Sequence, residues 1–192
     1  MEDTEENTFQ ISSLFRDKYK LRLVIITVLT LMILSVFINI WALVFIITFS
    51  FLNSLLLSIE RYVSITHDLE LSTFSAVMMS VSFGLGWGMT AAFFTKFMEI
   101  MYNKSMEIED ILAITSFMIA AVLGFIFRDM NITEVGIVVT FAVNVFNFIT
   151  SSMVGYYTKY ELIFQVMTNI VLNLVLFVSA APVLLTLLTL LR

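Results

Sequence analysis

The sequence predicts an all-α fold: a polytopic integral membrane bundle of six transmembrane helices, seven if the stretch 72–95 is broken at Gly84–Gly88. Three observations predict it. The chain of 192 residues is 60% hydrophobic with a mean hydropathy of +1.00, far outside the globular range. Several charge-free runs exceed the roughly 18 apolar residues that mark a membrane span. Small residues recur every fourth position at Ala76, Ser80, Gly84, Gly88 and Ala92. On one helix they form a smooth ridge that lets a second backbone approach closely, and close packing is the main adhesive between helices in lipid.

Residues 1–21 read as a cytosolic polar tail and 22–192 as a single transmembrane helical domain. Arg16, Lys18, Lys20 and Arg22 stand directly before the first apolar run, which places the N-terminus in the cytoplasm. No charge, glycine or proline occurs from Leu23 to Ile59. A single helix of that length would measure about 55 Å, nearly twice the hydrocarbon thickness, so two spans joined near Asn39 are expected. Asn53 is a lone polar residue in the second. His67 lies in the polar connection that follows and has no second histidine to complete a metal site.

The third span is expected over 72–95 as one helix carrying the small ridge, with Lys96 reaching back to the headgroups. The fourth, about 111–127, has a ridge of its own at Ser116, Ala120 and Gly124, and spans three and four are expected to pack together. The fifth, about 133–155, bears Thr140, Asn144, Asn147 and Ser151 on one face. The sixth, about 162–190, bears Gln165, Asn169 and Asn173 on one stripe, with Thr168 beside it. Pro182 should kink that helix. The amide stripes are either interhelical glue or the lining of a substrate-binding pocket for a small solute.

Basic residues number three on the outward side (Lys96, Lys104, Lys159) and seven on the inward side in the six-span arrangement, which supports a cytoplasmic-membrane protein with both termini inside. Ionisable groups are expected only at span ends, which argues against proton-coupled transporters, pumps and voltage sensors. The chain has no cysteine and none of the common hydrolase or phosphate-binding motifs. No enzyme activity, metal or cofactor is expected. A pI of about 4.8 without a basic patch excludes nucleic acid as a natural partner. Membrane lipid, another membrane subunit and a small-molecule ligand remain.

The stretch HDLELSTFSAVMMSVSFGLGWGMTAAFFTKFMEIM resembles a region of the S-components of energy-coupling-factor importers. These residues run from an acidic, apolar start through a glycine step to an acidic helix end. It is similar also to the cell-shape membrane protein family MreD. The resemblance covers about residues 68–190 and places Gly84 and Gly88 at the glycine step and Glu99 at the acidic end. Both families usually break the helix at that step, and the late proline matches the MreD pattern. What it implies is a non-enzymatic subunit that binds a small solute for a separate energised partner, or a scaffold that holds partner proteins through its helix faces. Two departures stand out. Leu23 to Ile40 has no alanine or glycine for docking on a partner, and the turn near Asn39 leaves no long outer loop over a substrate.

Overall fold

The structure, a computed structural model, describes residues 39–63, 69–103, 108–155 and 158–191. The chain divides into two compact units, Met1–Ile40 and Trp41–Arg192. The described residues fall almost wholly in the second. The polar tail, the first expected span and His67 lie outside the described residues.

The described residues form seven helices and no strand: α1 (Ile40–Val63), α2 (Ser72–Phe83), α3 (Leu85–Asn103), α4 (Ile108–Ile126), α5 (Ile132–Val154), α6 (Lys159–Ser179) and α7 (Ala181–Leu190). Local chemistry sets several of these boundaries. The Asn131 side chain accepts the Thr133 main-chain N–H at 2.9 Å and starts α5, as N-cap asparagines do. Gly155, at φ +72°, ends it in the left-handed conformation that glycine adopts without strain. Thr158 and Glu161 form a reciprocal capping box at the head of α6.

Two expected spans are broken. The third is not one helix: at Gly84 the backbone takes φ +101°, ψ 171°, a conformation essentially restricted to glycine, and α2 and α3 fold back on each other as an antiparallel pair. The ridge therefore packs against itself. A Cβ on Gly88 would stand 2.5 Å from the Ser80 Cβ and 2.9 Å from the Ala76 carbonyl oxygen, so the two arms touch almost backbone to backbone. The sixth span breaks at Ala180, with Pro182 in the first turn of α7. The Phe177 carbonyl just before the break accepts the Thr133 hydroxyl at 3.1 Å.

The hairpin packs on α4, where a Cβ on Gly124 would lie 3.2 Å from the Val77 Cα and Ser80 Oγ donates to the Ala121 carbonyl at 2.6 Å. Aromatic rings join α1, α2 and α6: Phe49 meets Phe74 edge-on at 5.8 Å, and Phe74 meets Phe177 at 5.0 Å, within the range where aromatic pairs add to area burial.

Two helices, α5 and α6, are long and apolar enough to cross a membrane. Shorter apolar stretches occur at 40–56, 72–83, 110–126 and 181–190. The described residues are thus all-α with two full-length candidate spans, and the stretch 72–95 follows the broken alternative that the sequence leaves open.

Candidate functional site: a buried ionic cluster joined to an amide ladder

The open end of the hairpin gathers charge. Glu70 immediately precedes the first turn of α2, and its carboxylate is buried. Lys96 and Glu99 lie one turn apart on α3, and both are buried as well. Because α2 and α3 run antiparallel, the head of α2 comes opposite this part of α3. Lys96 Nζ sits 2.7 Å from Glu99 Oε1, 3.6 Å from Glu70 Oε1 and 3.7 Å from Asp110 Oδ1 at the head of α4. One ammonium thus ties three elements together.

Asn53 on α1 completes the cluster. Its Nδ2 donates to Glu99 Oε2 at 3.0 Å, and its Oδ1 accepts the Leu71 main-chain N–H at 2.6 Å. Ser72 Oγ donates to Glu70 Oε1 at 2.8 Å. Buried charges persist only when paired and hydrogen-bonded, and each of these contacts serves that need. Lys96 does not reach away to headgroups but turns inward to Glu99, at about 10 Å along α3 from Asn103.

The asparagines extend the same seam. Asn173 Nδ2 on α6 lies 3.3 Å from the Glu70 carbonyl oxygen and 2.8 Å from Asn169 Oδ1. Asn144 Nδ2 on α5 lies 3.3 Å from the same Asn169 oxygen and 2.9 Å from the Thr140 carbonyl. Amides from the two helices therefore form a ladder that ends at Glu70. Two atoms in it, Asn173 Oδ1 and Thr140 Oγ1, are buried with no hydrogen-bond partner among the described residues.

Of the residues expected to line a solute pocket, Thr140, Asn144, Asn169 and Asn173 come together and are buried. Asn147, Ser151 and Gln165 are half-buried nearer the connection between α5 and α6. Thr168 bonds back to the Gln165 carbonyl at 2.8 Å and lines an apolar groove with Leu69, Met167, Val171, Leu172 and Val175. Among the small residues, Ala76, Ser80, Ala92, Ser116 and Ala120 are buried, and Gly88 and Gly124 make close backbone approaches. Gly84 does not pack: it has open space around it and forms the turn.

The roles of three positions were not legible in the sequence. Glu70 and Asp110 stand at helix heads, where acidic residues are ordinary, and only the fold brings them to Lys96. Gly136 shows no small-residue spacing, yet a Cβ there would fall inside the Phe177 ring.

No protein-family model, curated protein or solved structure matches the chain.

Proposed function

We propose that the protein is a non-enzymatic subunit of the cytoplasmic membrane that binds a small solute in a polar interior and presents it to a separate energised partner, in the manner of an S-component. The observation that carries this reading is the contrast between the two faces of α5 and α6. Outward stand Val138, Phe141, Val145 and Ile149 on α5, and Ile163, Met167, Val171 and Val175 on α6, each exposed. Inward stand Thr140, Asn144, Asn169 and Asn173. Water would favour the reverse arrangement, and a contiguous exposed apolar face of this kind suits acyl chains.

The ladder leaves Asn173 Oδ1 orphaned at its Glu70 end and Thr140 Oγ1 orphaned on α5, which suits a site completed by a bound molecule better than a finished structural core. The shorter helices complete the bundle, with α2 and α3 counted as two segments. The test is to purify the chain, identify any co-purifying small molecule and measure uptake with its partner. Asn144→Leu and Asn169→Leu should each lower retention and uptake about tenfold, the value of a hydrogen bond or two. Unchanged retention and uptake in both variants would sink the reading.

The mutual bonding of the amides favours a second reading, a scaffold in the MreD manner, because a closed ladder also fixes helix faces for a partner. Crosslinking in native membranes separates the two. Capture of an ATPase-bearing importer supports the first, and capture of a cell-wall or cytoskeletal assembly supports the second.

A further inference from the structure

Resting on the membrane reading but not on the solute, we propose that the cavity at the hairpin tip holds the phosphate of an anionic phospholipid, with Arg128 as its ligand. The cavity measures about 300 Å³ and is bounded by Val81 and Gly84 of the tip and by Arg128 and Asp129 of the turn between α4 and α5. One water needs only about 10–15 Å³. At Gly84 a Cβ would meet nothing within 4 Å, so the wall is open on that side.

Arg128 is free to take an anion. Its guanidinium carbon stands 4.8 Å from the centroid of the Phe125 ring, and such stacking steadies the planar group while leaving its N–H edges open. The one carboxylate within 4 Å among the described residues is Asp129, whose Oδ1 lies 3.9 Å from Arg128 Nε. That is beyond the 2.7–2.9 Å of a charge-assisted hydrogen bond. The Asp129 side chain is 94% exposed, and an ion pair in that setting contributes little. The guanidinium thus makes no hydrogen bond among the described residues, and its parallel donors match two oxygens of one phosphate.

Position favours a lipid over a free ion. Trp41 and Trp87, the chain's two tryptophans, stand near the starts of α1 and α3. Phe83 and Trp87 pack on the cluster that holds Ala42, which brings both indoles to the tip end, and tryptophans gather at headgroup level. Ile126 and Met130 flank Arg128 along the chain and are both exposed. They offer acyl chains an apolar surface directly beside the charge. Cation and apolar flank together match the charge and the chemistry of a phospholipid.

The test adds phosphatidylglycerol, phosphatidylcholine or inorganic phosphate to the full chain in a non-ionic detergent. Phenylglyoxal modification of each arginine is then read by mass spectrometry on the unaltered chain. Phosphatidylglycerol should slow the modification of Arg128 saturably, by about tenfold, and the protection should weaken as sodium chloride is raised. Phosphatidylcholine, which has no net charge, and inorganic phosphate at matched concentration should protect less. Arg128→Gln should weaken the apparent affinity for phosphatidylglycerol, read from the thermal midpoint, by about tenfold. Arg128→Lys should fall between, since it keeps the charge and loses the planar fork. The labelling arm needs no variant, so a misfolded substitution would not blunt the test. Equal protection by inorganic phosphate would mark a free-anion site, and equal protection by phosphatidylcholine would remove the anionic requirement. Equal protection at every arginine would mark diffuse surface charge. Any of these results, or no protection of Arg128, overturns the inference. If an alkaline carbonate wash releases the chain, the membrane reading itself fails. If the chain stays in the membrane and Arg128 is unprotected, only the headgroup assignment fails.

Discussion

Gly136 and Gly88 show how much a single hydrogen in place of a methyl group decides in this bundle. The Phe177 ring occupies the space a Cβ on Gly136 would need and links the core rings of α1 and α2 to α5. Gly136→Ala should lower stability by about 1–3 kcal/mol, the usual cost of overpacking a filled core. Gly88→Ala should do the same by prising α2 from α3, whereas Gly86→Ala meets nothing within 4 Å and should be neutral or slightly stabilising. Denaturation in mixed micelles ranks the three, and a Gly88→Ala chain as stable as Gly86→Ala would show that the arms do not touch as described. Lys96 is the other decisive side chain. Lys96→Met takes from Glu99 the ammonium 2.7 Å away in a buried setting and should cost about 3–5 kcal/mol, only part of it recovered when Glu99→Leu is added, because Glu70 and Asp110 lose the same cation. A double variant no better than the single would count against the Lys96–Glu99 contact.

At the scale of elements, what could be read from the chain was what local chemistry decides. Asn131, Gly155 and Pro182 punctuate the helices where their side chains and ring geometry demand it, and the four-residue spacing of Asn169 and Asn173 put both amides on one stripe. The break at Gly84 was not legible in the same way. A row of small residues at fourfold spacing is equally good as one long ridge or as two short ridges pressed together, and the pattern alone cannot choose. The choice rests on one positive φ. Gly84→Ala has open space for its methyl yet should destabilise the turn by about 1–3 kcal/mol, because a Cβ disfavours that backbone conformation. The outcome is read as faster proteolysis near residue 84, and unchanged proteolysis would count against the turn. The ionic cluster was hidden for a related reason. Lys96 and Glu99 lie close to Asn103 along the chain and look like a span end, until the fold-back brings Glu70 opposite and α4 supplies Asp110.

For the molecule as a whole, the outward apolar faces of α5 and α6 set the solvent. The chain should stay with the membrane through an alkaline carbonate wash and require detergent for release, and recovery in the wash would contradict the membrane reading. The hairpin has a further consequence for sidedness. Rising 1.5 Å per residue, α2 climbs only about 18 Å, while α3 and α4 each reach about 28 Å, close to the hydrocarbon depth. Its Gly84 tip lies beside Arg128 and Asp129, and its two feet, Leu69 and Tyr102, share the other end. Since the chain has no cysteine, single reporters at those positions carry no background. An impermeant maleimide should reach Leu69→Cys and Tyr102→Cys from one compartment and Asp129→Cys from the opposite one. Should the labelling follow that pattern, the fold-back at Gly84 has toggled the compartment of every loop after it, and a lone glycine angle has set the sidedness of the later chain.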